Sequence, residues 1–205
     1  MTEKTPAAAA STAPVKRLRK AERREQILDA ATRSFARAGF TATSLDDVAM
    51  EAGITRVLLY RHFDSKADLY RAVLDRACLR LADTVGEDSF DDDSIPALLQ
   101  AASADPDGFR LLFRHAAREP EFRDLIDTLT RASREIAQQN LAQRIPAGPW
   151  LEWAAQVIPT MTIEAVIAWL DAGRPDPDLA AARIRQAVDG VIHAAHPSPA
   201  DPTAS

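Results

Sequence analysis

The chain has 205 residues, 46% of them hydrophobic and 27% charged, with a formal net charge of -5. That length and apolar content fit a globular protein of one or two domains. No uninterrupted apolar run reaches about eighteen residues, the length of a membrane span, and the opening MTEKTPAAAASTAPVKRLRK places its charges after an alanine tract, the reverse of a secretory signal. A cytoplasmic protein without a membrane partner is expected. The single Cys78 excludes an internal disulfide and reads as an apolar thiol beside Leu74 and Leu81.

The acidic average conceals a split. Residues 1–66 carry twelve Lys and Arg against eight Asp and Glu, whereas residues 67–205 carry thirteen against 22. Residues 1–15, rich in Ala, Thr and Pro, read as a disordered arm. Lys16, Arg17, Arg19, Lys20, Arg23 and Arg24 follow as a basic cluster suited to phosphates or the minor groove. A first helix is predicted from about Ala21 to Ala38, with Ile27, Ala31 and Phe35 on one stripe, ending where Gly39 can turn left-handed.

The segment SLDDVAMEAGITRVLLYRHFDSK, residues 44–66, reads as two short helices joined by a turn at Gly53, with a third beginning at once. Ser44 and Asp47 form a capping box. Thr55 caps a helix from Arg56 to His62, short enough to lie in a major groove. Ser65 and Asp68 form another box and start a helix running through Leu69, Val73, Ala77, Leu81 and Val85. Leu59 and Phe63 are core positions.

Gly39-Phe40, Thr43-Ser44, Val48-Ala49, Ala52-Gly53-Ile54-Thr55, Leu59-Tyr60-Arg61-His62-Phe63 and Ser65-Lys66 together resemble the N-terminal domain of TetR-family transcriptional regulators, over roughly residues 22–75. The resemblance implies an all-α fold: an N-terminal three-helix helix-turn-helix domain (16–66) and a larger helical ligand-binding and dimerisation domain (67–195), with a disordered tail at 196–205. It implies DNA contacts from Thr43, Ser44, Thr55, Arg56, Val57, Leu58, Tyr60, Arg61, His62 and Lys66, with Lys16, Arg17, Arg19 and Lys20 as a DNA-binding arm. Arg56 can offer two donors to a guanine edge, and Val57 and Leu58 can pack on thymine methyls. Ser44, Thr55, Tyr60, His62 and Lys66 are the expected backbone contacts. Val57 and Leu58 depart from the small or proline residue and the Thr or Ser common in the family, which replaces hydrogen-bonded readout there with methyl contact.

Further along, GEDSFDDDS (86–94) lacks the glycine and closing glutamate of an EF-hand and reads as an exposed acidic connection. Helices are predicted from Ile95 to Ala104, Pro106 to Arg118 and Pro120 to about Arg144, with a break at PAGP (146–149). A strongly apolar helix follows from Trp150 to Ala172, and a last one begins at Asp176-Pro177. Cys78, Leu112, Phe113, Leu129, Trp153 and Met161 are candidate ligand-pocket residues, with Arg110, Arg114, His115 and Gln156 as polar partners. The family's four-helix bundle implies dimerisation through the last two helices, with Trp169, Ile184, Val188 and Val191 at the seam.

These residues point to a sequence-specific transcriptional regulator, a repressor released from double-stranded operator DNA by a small hydrophobic effector, acting as a homodimer. The alternative is a protein of the same fold that acts through a protein partner without an effector. No P-loop, nucleotide-binding glycine pattern or nucleophile elbow is present. His193 and His196 lie three apart without a Cys or carboxylate pair to complete a metal set, so neither an enzyme nor a cofactor or metal is expected.

Overall fold

The computed structural model describes residues 19–86 and 93–196, which fold into nine α-helices with no strand among them. Residues 1–18, 87–92 and 197–205 lie outside the described part. They include Lys16 and Arg17, the N-terminal arm, most of the acidic connection and nearly all of the tail.

Helix α1 (Lys20–Ala42) breaks at Gly39, whose φ of 79° suits a residue without Cβ. Ser44 caps α2 (Leu45–Glu51) in a reciprocal box with Asp47, and Thr55 caps α3 (Arg56–Tyr60) through Leu58 N–H. Helix α3 stops before the expected His62, as the Arg61 and His62 N–H groups turn back to the Leu58 and Leu59 carbonyls. Between α2 and α3 the chain turns at Gly53 (φ 64°). Ser65 caps α4 (Lys66–Val85) through Asp68 N–H.

These helices close over Ile27, Phe35, Val48, Leu59, Phe63 and Leu69, all buried. The cluster does not stop at residue 66. Tyr70, Val73 and Leu74 extend it along α4, and Leu111, Leu112, Ala116 and Phe122 join it from the second half of the chain. Phe35, Phe40, Tyr70 and Phe122 stack around one another, with centroids 4.7–5.2 Å apart at the Tyr70 contacts and between Phe40 and Phe122. Arg76 adds a polar tie, its guanidinium reaching Glu25 (3.1 Å), Asp29 (2.7 Å) and the Thr32 hydroxyl (2.8 Å) on α1.

The second half comprises α5 (Ser94–Ala104), α6 (Pro106–Arg110), α7 (Arg123–Leu141), α8 (Pro149–Asp171) and α9 (Pro177–Ala194). The single helix expected from Pro106 to Arg118 is instead α6, a π turn at Leu111–His115 and a 3₁₀ turn at Ala116–Arg118. Asp105 starts α6 by accepting from Gly108 N–H, where a Cβ would collide with the same carboxylate. A second 3₁₀ turn at Pro120–Phe122 precedes α7. Two apolar clusters hold this half together, one around Leu99, Phe109, Ile167 and Trp169, the other around Ala137, Leu141, Ala154 and Ile192.

Candidate DNA interface and interior cavity

The start of α3 carries an exposed face, the candidate reading face. Arg56, Val57 and Tyr60 all face solvent, Val57 at 68% exposure. Arg56 Nη1 donates to Asp46 Oδ2 on α2 (2.8 Å) and Nη2 to Tyr60 Oη (3.2 Å), while its Cζ lies 5.5 Å from the Tyr60 ring centre. Ser44, Thr55 and Arg61 are exposed on the same unit; Leu58 and His62 are half-buried. Burial, and then Lys20, Arg24 and Arg23 of α1, hold the His62 imidazole below its ordinary pKa. The basic start of α1, including exposed Arg19 and Lys20, is therefore electrostatically close to the end of α3.

Two expected DNA contacts are built differently. Thr43 is 2% exposed, and its hydroxyl donates to the Gly39 (2.7 Å) and Ser34 (3.2 Å) carbonyls, so its side chain closes the end of α1 rather than facing DNA. Lys66 turns its ammonium back onto the Phe40 (2.9 Å) and Thr41 (3.3 Å) carbonyls, 4.5 Å from the Phe40 ring centre. Those carbonyls follow the Gly39 break, and a three-donor ammonium satisfies them.

A cavity of about 830 Å³, partly open to solvent, lies in the second half, walled by the far end of α4, by α5, α7, α8 and α9, and by Phe113 of the π turn. Cys78, Phe113 and Leu129 line it as expected. Burial pushes the Cys78 thiol up to about 11, and nearby Asp75 adds to the shift, so the thiol is protonated at neutral pH. Three expected pocket residues do not line this cavity. Leu112 is buried in the first core, Trp153 is exposed against Trp150 with centroids 5.8 Å apart, and Met161 is half-buried elsewhere on α8. The expected polar partners are also displaced. Arg110 and Arg114 grip Asp171 (2.9 Å each), holding its carboxyl below the usual range, and neither they, His115 nor Gln156 line the cavity.

Polar lining comes instead from Asn140, Arg144, Thr162, Arg185 and Asp189, with Arg144 and Asp189 paired at 3.1 Å. Sequence reasoning missed these residues. The available signal was on α7 and its exit, where Asn140 and Arg144 continue the same face as Ile136 and Ala137 at helical spacing.

The seam expected on α9 also lies differently. Ile184 is buried against Leu99 and Ile167, Val188 lines the cavity, and Val191 packs on the cluster around Ile192. Trp169 is 7% exposed, its indole donating to the Pro175 carbonyl at 2.7 Å. Trp169 and Ile184 serve the protomer's own interior, whereas Val188 and Val191 stay half-buried. The outward faces are Trp150, Trp153, Thr160 and Ala168 on α8, and Ala182, Gln186 and Gly190 on α9.

Residues 27–73 match the family described as bacterial regulatory proteins, tetR family. The chain is similar to the HTH-type transcriptional activator FasR of Mycolicibacterium smegmatis, 33% identical over 125 residues that cover 57% of each protein. It is 48% identical to the HTH-type transcriptional regulator TtgR of Pseudomonas putida over 54 residues, 26% of each. The matched segments thus span from about a quarter to somewhat over half of these relatives' lengths. In structure it resembles a TetR-like transcriptional regulator from Rhodococcus sp. RHA1, with a TM-score of 0.72, 22% identity, and coverage of 86% of this chain and 97% of that one.

A capped helix-turn-helix carried on one long helix into an all-helical body defines a helical regulator fold. The match at residues 27–73 gives the N-terminal part of the chain the regulatory-protein domain of the tetR family, and the whole chain shares its fold with a TetR-like regulator.

Proposed function

We propose that the protein is a cytoplasmic, homodimeric DNA-binding transcriptional regulator that represses from a partly palindromic operator and is released by a small hydrophobic effector. The observation that carries this reading is the division of α4. Its first half is packed into the reading unit through Leu69, Tyr70, Val73 and Leu74, and its second half, from Cys78 to Val85, forms a wall of the cavity. A ligand that fits the cavity only when that wall moves binds the DNA-incompetent arrangement better, and a coupling of about 1–3 kcal/mol loosens operator binding some five- to 150-fold.

Arg56 reads a base edge, Val57 and Leu58 contact thymine methyls, and Ser44, Thr55, Tyr60, Arg61 and His62 meet the backbone. Arg19 and Lys20, with Lys16 and Arg17 before them, supply further phosphate contacts. Residues 19–66 form the reading unit, and residues from 67 onward regulate and dimerise. The dimer forms through the outward faces of α8 and α9, since a helix as apolar as α8 leaves Trp150 and Trp153 in water at 51% and 39% exposure without a partner.

The test is selection of binding sites from random-sequence DNA by the full chain, followed by measurement of affinity with and without apolar compounds that raise its melting temperature. Two-fold symmetric sites whose affinity falls when such a compound binds are the expected result. An absence of sequence selectivity at any salt concentration would overturn the reading.

A further inference from the structure

The exposed pair between Asp46 and Arg56 is a feature that stability does not explain. Both side chains are more than half exposed, at 62% and 55%. Ion pairs of that kind contribute little to folding and are screened by salt. Asp46 moreover places a negative charge on the face that would meet a polyanion, beside the arginine best placed to read a base. For non-specific DNA binding this is the wrong sign of charge in the wrong place.

We propose, building on the DNA-binding reading above, that Asp46 is a positioning residue that makes Arg56 a guanine reader and denies it to phosphates. Asp46 holds Nη1 from α2, and Tyr60 holds Nη2 from one turn along α3, with its ring beneath the guanidinium. Two of the five guanidinium N–H donors are thereby used, leaving three. An arginine on a flexible stem normally reaches whatever acceptor is nearest, and along DNA that is a phosphate. Contacts at two points from two helices, weak as each is, bias Arg56 toward this position before DNA arrives, so less side-chain freedom is lost on binding.

Electrostatics discriminates in the same direction. A phosphate approaching Arg56 also approaches the Asp46 carboxylate and is repelled, whereas a guanine edge presents two neutral acceptors, O6 and N7, to the remaining donors. The adjacent Val57, with no hydrogen-bonding group and 68% exposure, suits a thymine methyl. The recognised feature in each half-site is therefore a guanine with a neighbouring thymine. The guanine preference depends on a residue of α2 that need not touch it.

The experiment uses the full chain with Asp46→Asn, Arg56→Ala and the double variant. Affinities are measured on the site selected by the wild type, on versions with the guanine replaced, and on unrelated duplex DNA over a salt series. Asp46 is exposed and lies outside the Ser44–Asp47 capping box, so folding is expected to be retained, as circular dichroism would verify. Asp46→Asn is expected to lose roughly three- to tenfold of the guanine preference, part of the roughly five- to 150-fold that a bidentate arginine provides. It should bind unrelated DNA more tightly, with a salt slope steeper by up to about 0.9 as Arg56 takes up a phosphate. In the Arg56→Ala background, Asp46→Asn should leave the base preference at that position unchanged.

Three results would overturn the proposal. One is an undiminished guanine preference in Asp46→Asn. Another is an effect of Asp46→Asn that persists without Arg56, confined to a cytosine, which would make Asp46 a direct base contact. The third is a selected site with no guanine at the position sensitive to Arg56→Ala; the protein would then still be a sequence-specific regulator, so that outcome is distinct from a failure to select any site.

Discussion

The reading unit and the regulatory body are both made of amphipathic helices, yet one is filled and the other is hollow. Around Phe35 and Tyr70 the rings and aliphatic side chains leave almost nothing exposed. Around Phe113 and Leu129 the helices leave a partly open cavity of about 830 Å³ that their own side chains do not occupy. On the proposed function, the filled core fixes the position of Arg56 through one packing solution, and the hollow body admits more than one arrangement around a guest. Helix α4 belongs to both, its first half packed in the filled core and its second half lining the cavity.

The contrast can be broken most directly by truncation on each side. Phe35→Ala removes a fully buried ring from the filled core and should cost about 3–5 kcal/mol of unfolding free energy. Leu129→Ala trims a partly exposed wall of an existing cavity and should cost less than about 1 kcal/mol. Denaturant titrations of the two variants measure both values. Similar losses would mean that the regulatory body is as tightly determined as the reading unit.

A second way to sharpen the comparison separates the inner from the outer face of α9. Val188 lines the cavity, whereas Gly190 faces outward, where an added Cβ would meet no atom of the protomer. Gly190→Arg should therefore fold yet dissociate the dimer, since a charge buried unpaired at an interface costs about 2–5 kcal/mol. Val188→Asp should leave the dimer intact and disturb the cavity. Sedimentation distinguishes them, and monomeric Val188→Asp beside dimeric Gly190→Arg would reverse the assignment of the two faces.

The same contrast governs what the sequence could disclose. Ser44 with Asp47, Thr55, Ser65 and the turn at Gly53 are signals carried within four residues of the feature they specify, and each stands where the pattern placed it. The main helix limits were readable for that reason. The buried placing of Thr43 and the carbonyl partners of Lys66 were not legible because those partners, the carbonyls left over at the Gly39 break and the Ser34 carbonyl, exist only once α1 has ended as it does. The cavity was least legible, since its wall is gathered from five helices and the π turn. Periodicity marked Ile184 and Val188 as facing something apolar, but it cannot tell a neighbour in the same chain from a partner. The expected continuous helix after Pro106 likewise gave no hint of the π turn that delivers Phe113.

A smaller effect concerns the tie between the two regions. Arg76 is 11% exposed at its side chain and joins α4 to Glu25, Asp29 and Thr32 of α1, although both acids are half exposed. Screening at the acids reduces the value of the pairs, so Arg76→Met should cost about 1–2 kcal/mol. Its more telling consequence should be a smaller change in operator affinity when an effector binds, because α4 would then move partly independently of α1. Unchanged coupling in Arg76→Met would assign that rigidity to the apolar contacts alone.

The smallest predicted effect is on pH dependence. In the free protein, burial and the neighbouring Lys20, Arg24 and Arg23 depress the His62 pKa below 6.5. For folding, a histidine depressed in the native state binds fewer protons than in the unfolded chain, so its contribution falls as pH drops below about 6.5. Burial and the neighbouring Arg118 and Arg114 give His115 the same direction of shift. DNA binding reverses the sign at His62. A phosphate beside the imidazole and its three cationic neighbours favours the protonated form, so the bound pKa is higher than the free one and binding takes up protons. Operator affinity should therefore rise a few-fold as pH falls from about 7.5 to about 5.5, a change worth less than the roughly 1.4 kcal/mol of one full pKa unit. His115, on the π turn and not on α3, should contribute nothing to this dependence. The measurement is operator affinity against pH at constant ionic strength, since salt alone moves affinity far more. His62→Asn should flatten the profile without changing sequence preference. If that variant retains the full pH dependence, the proton is taken up elsewhere and His62 does not approach the backbone.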